Sequence, residues 1–150
     1  NLILDVSTIP ANISDDVKQR ACKLASDIIS GLDYIGVMGV ELFVSNKPDA
    51  PLIVNEIAPR VHNSGHWTQD ACITSQFEQH IRAITNLPLG DTLRHSDVIM
   101  KNLIGADVYQ INKYASQPNA KIHLYGKSIV KEGRKMAHVN LLYPLGKLRA

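Results

Sequence analysis

Apolar and polar positions along the chain predict two helices and three strands up to about residue 90 and mainly short strands beyond it. Residues 2–9 are mostly apolar and partly alternating, which predicts a strand that Pro10 closes. A helix is predicted from an N-cap at Ser14 to a C-terminal stop at Gly31, because apolar residues recur there at helical spacing. Its apolar face consists of Val17, Ala21, Leu24, Ala25, Ile28 and Ile29.

A β-hairpin is predicted next. Residues 34–44 and 52–57 are rich in strand-forming residues, and residues 45–51 between them have the composition of a turn. The loop is taken as symmetric about Pro48 and Asp49, and this symmetry sets the register of the two strands.

In that register Glu41 lies directly opposite Glu56. Cross-strand neighbours have Cβ atoms about 5 Å apart, and like charges at that separation are destabilising. Two facing carboxylates on otherwise apolar strands therefore predict a divalent cation, and hard oxygen ligands beside a phosphate-bearing substrate favour Mg²⁺ over zinc. The alternative is a strand offset of one residue, which sends the two carboxylates to opposite faces.

The later part of the chain divides near residue 90. A capping box at residues 75–78 predicts a second helix with an apolar stripe of Phe77, Ile81 and Ile84, and residues 87–90 end it. The chain then carries a polar, loop-like segment with weak helical character at 110–119. Short strands are predicted at 98–104, 122–125 and 136–142.

Composition is typical of a globular protein. The chain has 150 residues, of which 45% are hydrophobic and 20% charged, with a net charge of +2. Cys22 and Cys72 are too isolated for a disulfide framework, and no apolar run reaches membrane-spanning length. We therefore expect a cytoplasmic location without a membrane as partner. The net charge argues neither for nor against nucleic acid, which is not expected as a partner either.

Polar side chains are concentrated in the loop that follows the second hairpin strand. Arg60 suits bidentate binding of a small planar anion, although it could instead cap the strand end or pair with Asp70. Trp67, the single tryptophan, is interpreted as packing for this loop.

Three histidines lie in or near the same loop. His62 and His66 are four residues apart, and His80 follows. A zinc site is the weaker interpretation, because Pro59 and Gly65 disfavour the helix that would align the first two rings. We expect one histidine to donate a hydrogen bond in the site and the others to be structural.

A basic segment near the end of the chain allows two interpretations. Lys127, Lys131, Arg134 and Lys135 cluster at a predicted turn that contains Gly126 and Gly133. The segment is either a solvated hairpin turn or a phosphate-binding loop in which Lys127 and Arg134 hold the anion.

Residues 38–44, 55–90 and 124–140 closely resemble the family of 5-(carboxyamino)imidazole ribonucleotide synthases, which are ATP-grasp enzymes of purine biosynthesis. The run NEIAPRVHNSGH is the most specific part, and the resemblance covers essentially the whole chain. It implies that ATP, bicarbonate and 5-aminoimidazole ribonucleotide give the N-carboxylated ribonucleotide, ADP and phosphate by way of carboxyphosphate. It also implies a homodimer and transfer of the product to a mutase.

Carried over by position, Glu41 and Glu56 resemble the Mg²⁺ ligands under the ATP phosphates, and Asn55 with Glu56 forms the matching nucleotide-binding pair. Many ATP-grasp enzymes carry an asparagine two residues after the second metal glutamate. This chain has Ala58 there, so the resemblance leaves two protein carboxylates for the metal.

The resemblance also implies the substrate-binding and catalytic residues. Arg60, His62 and Asn63 match the bicarbonate and carboxylate pocket, where they are expected to be catalytic. Lys127 and Arg134 match the pair that binds the ribonucleotide phosphate.

The expected fold is α+β, with residues 1–90 as the C-terminal half of an ATP-grasp domain and 91–150 as a small β-rich domain. No counterpart of the family's ATP-covering lid is recognisable, so we expect the isolated chain to be inactive. Two alternatives stay open: another ATP-grasp carboxylate–amine ligase, or a non-catalytic ribonucleotide-binding module.

Overall fold

The computed structural model describes residues 3–45 and 52–148 and shows a mixed α+β fold, as expected. Two 3₁₀ turns, at Asn63–Gly65 and Gly105–Gln110, accompany the regular elements. In chain order these are β1 (Val6–Ile9), α1 (Asp15–Gly31), β2 (Gly39–Val44), β3 (Leu52–Ala58), α2 (Thr68–Ala71), α3 (Gln76–Ile84), β4 (Asp97–Ile104), α4 (Ile111–Ala115), β5 (Ala120–Leu124) and β6 (Lys135–Tyr143).

The larger sheet has four antiparallel strands in the order β1-β4-β6-β5 and carries the hydrophobic core. Leu103, Ala137 and Val139 are fully buried at its centre. Because β1 pairs with β4, the start of the chain joins the strands near its end. The division at residue 90 stays a prediction, and β1, which precedes it in the sequence, pairs with β4, which follows it.

Helix α1 follows the sequence pattern closely. Ser14 Oγ accepts a hydrogen bond from Val17 N at 3.3 Å, so the predicted N-cap is confirmed. The six predicted apolar positions are all less exposed than their neighbours on the other faces. The predicted stop differs in detail, because Gly31 is still helical and the left-handed residue is Asp33, with φ of 47°.

The hairpin of β2 and β3 contains a β-bulge. Glu41 pairs with Glu56, but the next pair is Leu42 with Val54, so Asn55 is the extra residue on β3. Closer to the turn, the register is thus shifted by one residue from the predicted one. The predicted turn residues 46–51 lie outside the described residues.

Helix α3 begins as predicted but packs through a different face. Ser75 Oγ accepts from Glu78 N at 3.2 Å, as an N-cap should. Two members of the predicted apolar stripe, Ile81 and Ile84, are 54% and 52% exposed, so that part of the prediction was wrong.

The inward face of α3 is instead polar. Gln76, Gln79 and His80 lie at i, i+3 and i+4, and each bonds the backbone of a loop. Gln79 bonds Gly90, His80 Nδ1 accepts from Val37 N at 3.0 Å, and Gln76 bonds the loop after β3. The helix is held by amide and imidazole hydrogen bonds where an apolar stripe was expected, because the loops around it need partners for their peptide groups.

The segment predicted to be loop-like at 110–119 is more helical than expected. The 3₁₀ turn at Gly105–Gln110 runs into α4, and Tyr114 of α4 packs against the core of the large sheet. Within 3–45 and 52–148, no helix has the length and apolar character needed to cross a membrane.

Candidate functional site

Two carboxylates meet on one face of the β2–β3 hairpin. Glu41 and Glu56 are direct cross-strand partners, and their side chains are 28% and 51% exposed. Asn55 Nδ2, at the bulge, donates to Glu41 Oε2 at 3.2 Å. The bulge therefore both restores the facing register and supplies a neutral donor to one of the two acids.

The ring of His62 lies between these carboxylates. Its Nδ1 is 3.5 Å from Glu41 Oε1, and its Nε2 is 3.6 Å from Glu56 Oε1. The side chain is only 12% exposed. Gly39 allows this approach, because a Cβ at that position would lie 2.6 Å from His62 Cβ.

Arg60 is exposed beside this corner. Its Nη1 donates to Val61 O at 2.9 Å. It does not pair with Asp70, whose Oδ2 instead bonds His123 Nε2 at 2.8 Å and Asn140 Nδ2 at 2.6 Å. The alternative of an Arg60–Asp70 pair is therefore wrong, and the guanidinium stays at the rim of the site.

Asn63 uses its side chain to join the loop to the large sheet. Its Nδ2 donates to Asn102 Oδ1 at 2.9 Å, and Asn102 Nδ2 donates back to Asn63 Oδ1 at 2.8 Å. Asn102 is fully buried on β4 and also donates to Leu4 O. The amide expected to touch substrate thus makes a reciprocal pair that fixes the position of the loop.

The basic segment is closed by its own hydrogen bonds. Lys127 Nζ donates to Lys135 O at 2.6 Å and lies 5.3 Å from the centre of the Tyr125 ring. Arg134 Nη1 donates to Ile129 O at 3.1 Å. Both predicted phosphate-binding side chains are half-buried and are held on one ordered turn.

A cluster of aromatic and histidine rings connects this segment with the loop after β3. Tyr125 Oη bonds His138 Nδ1 at 2.9 Å, and Asn63 Nδ2 lies 3.5 Å from the same oxygen. The His138 ring stacks on His123 at 4.5 Å between centroids, and His66 lies 5.2 Å away. The two halves of the candidate site therefore share one packed set of rings.

Burial keeps the central histidines neutral. It lowers the pKa of His66 to about 4, with the charges of His62, Lys135 and His123 adding to the effect. It likewise lowers the pKa of His138 to about 4, assisted by His123 and His66 and opposed by Asp70. These rings act as neutral hydrogen-bonding groups near pH 7.

Lys135 belongs to the electrostatic environment of the carboxylate corner, although sequence reasoning assigned it no role. Burial lowers the pKa of its ammonium, while Glu41 and Glu56 act against that change. Its position could have indicated this role. Lys135 directly follows Arg134 at the start of β6, so it adds another positive charge to the basic segment.

The carboxylate pair fits a magnesium ion better than a zinc ion. In the part of the chain that the structure describes, no group of three or more His, Cys, Asp or Glu side chains is placed to hold a metal. Mg²⁺ is commonly held by one or two carboxylates together with substrate phosphates, and the facing pair meets that need. Two oxygen ligands with no cysteine do not make a structural zinc site.

Comparison with known families matches both parts of the chain. The ATP-grasp domain family matches residues 1–77, and the phosphoribosylaminoimidazole carboxylase C-terminal domain matches residues 98–144. The chain belongs to the ATP-grasp family. The ATP-grasp match contains the carboxylate corner, Arg60, His62 and the first two residues of α3, whereas the second match contains the basic segment.

Individual relatives carry the same resemblance. The N5-carboxyaminoimidazole ribonucleotide synthase of Brucella melitensis is 51% identical over 95% of this chain, and that of Bacillus subtilis is 43% identical over 95%. The chain spans 39% and 37% of the lengths of these two proteins.

Solved structures agree with the sequence relatives. The N5-carboxyaminoimidazole synthase of Aspergillus clavatus, in complex with ADP and 5-aminoimidazole ribonucleotide, has a TM-score of 0.88 and 39% identity. The match covers 96% of this chain and 40% of that one. The family resemblance and the ATP-grasp assignment from sequence are thereby confirmed.

Three site-supporting side chains were not recognised from the sequence: Gln76, Asn102 and Tyr125. Gln76 was read only as a member of the capping box. Its signal is the polar i, i+3, i+4 pattern that it forms with Gln79 and His80 on α3. Asn102 and Tyr125 lie on or beside strands, and their long-range partners carry no local signal.

Gly39→Ala should displace the His62 ring from between the glutamates, because the new methyl group would overlap His62 Cβ. Overpacking of this kind costs about 1–3 kcal/mol. A crystal structure would show the displaced ring, and urea unfolding would measure the loss. Gly31→Ala is the control, since a Cβ there meets nothing within 4 Å. An unmoved ring in Gly39→Ala would contradict the prediction.

Asn102→Leu should loosen the loop that carries Asn63, because it leaves the Asn63 amide and Leu4 O without their partner. Each unsatisfied buried polar group costs about 1–3 kcal/mol. Hydrogen exchange at the amides of Asn63 and Ser64 should accelerate more than exchange in α1. Equal acceleration in both regions would indicate general destabilisation and contradict a specific role of the Asn63–Asn102 pair in holding the loop.

Acidification should destabilise the chain through the buried histidines. Their pKa values lie near 4 in the folded state and near 6.5 when unfolded, so protons bind the unfolded state preferentially as pH falls from about 6.5 towards 4. The pH dependence of urea unfolding should show proton uptake on unfolding near pH 5. His138→Gln should reduce that uptake by about one proton; an unchanged slope would show that His138 titrates normally in the folded protein.

Proposed function

We propose that this chain supplies the metal- and substrate-binding corner of an ATP-dependent carbon–nitrogen ligase. The reaction would carboxylate 5-aminoimidazole ribonucleotide with bicarbonate, giving N5-carboxyaminoimidazole ribonucleotide, ADP and phosphate for purine biosynthesis. The observation that carries the proposal is the His62 ring between Glu41 and Glu56, with the basic segment joined to the same loop.

The proposed chemistry proceeds by phosphoryl transfer followed by carboxylation. A bicarbonate oxygen attacks the γ-phosphorus of ATP, and the bond from that phosphorus to ADP breaks. The resulting carboxyphosphate divides into carbon dioxide and phosphate, and the ribonucleotide amine then attacks the carbon and loses a proton. Mg²⁺ bound by Glu41 and Glu56 would neutralise charge on the phosphates.

Arg60 and His62 would act on the small anion. The Arg60 guanidinium at the exposed rim can bind bicarbonate or carboxyphosphate with two parallel hydrogen bonds. His62, fixed beside both carboxylates, can donate a hydrogen bond to an anionic oxygen that approaches the metal corner. Asn63 would hold this loop in place through Asn102 as well as meeting substrate.

Lys127 and Arg134 would bind the ribonucleotide phosphate. Their terminal groups bond backbone carbonyls of the same segment, so both cations are already held in position on one turn. Phosphate binding would then cost less conformational entropy. A complex of the Aspergillus clavatus protein with ADP and 5-aminoimidazole ribonucleotide supports the choice of ligand.

Partners and location follow from the same proposal. We expect a homodimer that passes its product to a mutase, in the cytoplasm. Both cysteines, Cys22 and Cys72, are free, which is compatible with a reducing compartment. Because the chain spans about two fifths of its relatives, the whole reaction is to be tested with the remaining ATP-grasp elements present.

A chimera provides that test. This chain would replace the matching segment of the Brucella melitensis relative, and ADP release would be measured with and without bicarbonate and 5-aminoimidazole ribonucleotide. Glu56→Ala should lower ribonucleotide-dependent ADP release at least about 100-fold, because it removes a ligand for the charge-stabilising metal. Glu78→Ala is the matched control, an acid of similar exposure (50%) that pairs with Arg82 on α3.

The outcomes separate the alternatives. Ribonucleotide-dependent ADP release that Glu56→Ala loses and Glu78→Ala keeps would establish the reaction and the metal corner together. ADP release indifferent to the ribonucleotide would contradict the substrate and favour another ATP-grasp ligase. Ribonucleotide binding without ADP release would favour a binding module.

A further inference from the structure

Gln76 makes an unusual set of contacts under the candidate site. Its side chain is 9% exposed at the first position of α3. The Oε1 atom accepts from His62 N at 3.0 Å, and Nε2 donates to His62 O at 2.8 Å. The same Nε2 lies 2.7 Å from His66 Nδ1. One amide therefore contacts the backbone of one loop histidine and the ring of another.

The two bonds to His62 fix its peptide groups from both sides. A primary amide presents a donor and an acceptor side by side, which matches the N–H and C=O of one extended residue. His62 is extended, with φ of −126° and ψ of 149°, so both groups point to Gln76. The Cα position of His62 is thereby set, and with it the entry of the ring between the glutamates.

The third contact determines the tautomer of His66. The Gln76 Nε2 atom can only donate hydrogen bonds, so His66 Nδ1 must be the acceptor. The proton of the neutral His66 ring therefore lies on His66 Nε2. Burial independently keeps this ring neutral, with its pKa lowered to about 4. The loop also fits closely around the amide, since a Cβ at Gly65 would lie 2.7 Å from Gln76 Oε1.

We propose that Gln76 is a positioning residue for the reaction: it holds His62 at the carboxylate pair and fixes His66 as the neutral Nε2–H tautomer. This inference rests on the proposed function for its kinetic consequence, but the tautomer follows from the hydrogen bonds alone. Among the residues that the structure describes, the side-chain hydrogen bonds of Gln76 go to His62 and His66 and none goes to Lys127 or Arg134. Its effect should therefore fall on turnover and spare ribonucleotide binding.

Gln79 provides an internal control on the same helix. Its Oε1 accepts from Gly90 N at 2.9 Å, and its Nε2 donates to Gly90 O at 3.0 Å. This is the same two-bond arrangement, three residues along α3, on a loop away from the glutamates. Substitutions at 76 and 79 thus remove equivalent backbone bonds, and only the first also disturbs the site.

The experiment compares Gln76→Glu with Gln79→Glu in the Brucella melitensis chimera. A carboxylate at 76 cannot donate to His62 O, and it favours a proton on His66 Nδ1. We expect kcat for ribonucleotide-dependent ADP release to fall about 10- to 100-fold, with the ribonucleotide KM changed less than about two-fold. Gln79→Glu should lower the melting temperature similarly and keep kcat.

Histidine ¹⁵N shifts supply the readout that does not depend on activity. In the chimera labelled with ¹⁵N-histidine, His66 should show the Nε2–H tautomer, and Gln76→Glu should move the proton towards Nδ1 and raise the pKa of the ring. If Gln76→Glu fails to fold, Gln76→Met, of similar length, removes the same bonds and should give the same kinetic result. A wild-type Nδ1–H tautomer would overturn the assignment.

Kinetic outcomes distinguish the inference from the proposed function. Equal losses of kcat in the variants at 76 and 79 would reduce Gln76 to a structural residue and refute the inference. A chimera that shows no ribonucleotide dependence even with Gln76 intact would refute the proposed function, while the His66 tautomer would still test the contact.

Discussion

The repulsion between Glu41 and Glu56 is the constraint around which the site is built. Two carboxylates on facing positions disfavour the folded hairpin unless a cation or a donor lies between them. Three features here accommodate the pair: Asn55 donates to one acid, the His62 ring lies between both, and a side-chain-free Gly39 leaves space for that ring. Without a bound cation, the facing carboxylates remain an unfavourable charge pair. This cost is the physical argument that the pair binds a cation.

The facing pair was predicted correctly from the sequence, but partly for the wrong reason. A loop symmetric about Pro48 and Asp49 gives the observed pairing of the two glutamates, whereas nearer the turn the strands are shifted by one residue. A bulge at Asn55 restores the register. An extra residue of this kind depends on the ladder across the hairpin, so neither composition nor alternation indicates it. The N-cap and the apolar face of helix α1, by contrast, were predictable because they depend only on local spacing.

Helix α3 shows where hydrophobic periodicity is insufficient. The apolar stripe through Ile81 and Ile84 is real in the sequence, yet these residues are exposed, and the packed face carries Gln76, Gln79 and His80. The loops beside α3 have peptide groups that no strand or helix satisfies, and buried peptide groups need partners. Long polar side chains at helical spacing supply them. The candidate site residues were found by motif, whereas their supports depend on contacts between distant parts of the chain.

The supports of the site share one chemical property, which is that they are neutral. Gln76 holds His62, Asn102 holds Asn63, and Asn55 contacts Glu41, all through amides. A lysine or arginine in place of Asn55 would form an ion pair with Glu41 and weaken the attraction of that carboxylate for a metal. Amides fix geometry through paired donors and acceptors while they leave the net charge of the corner unchanged. These amides therefore leave the negative charge of the two glutamates available for a cation, with Lys135 as the member of the basic segment that interacts with the pair. The charges of Lys127 and Arg134, whose terminal groups bond backbone carbonyls, remain available for phosphate.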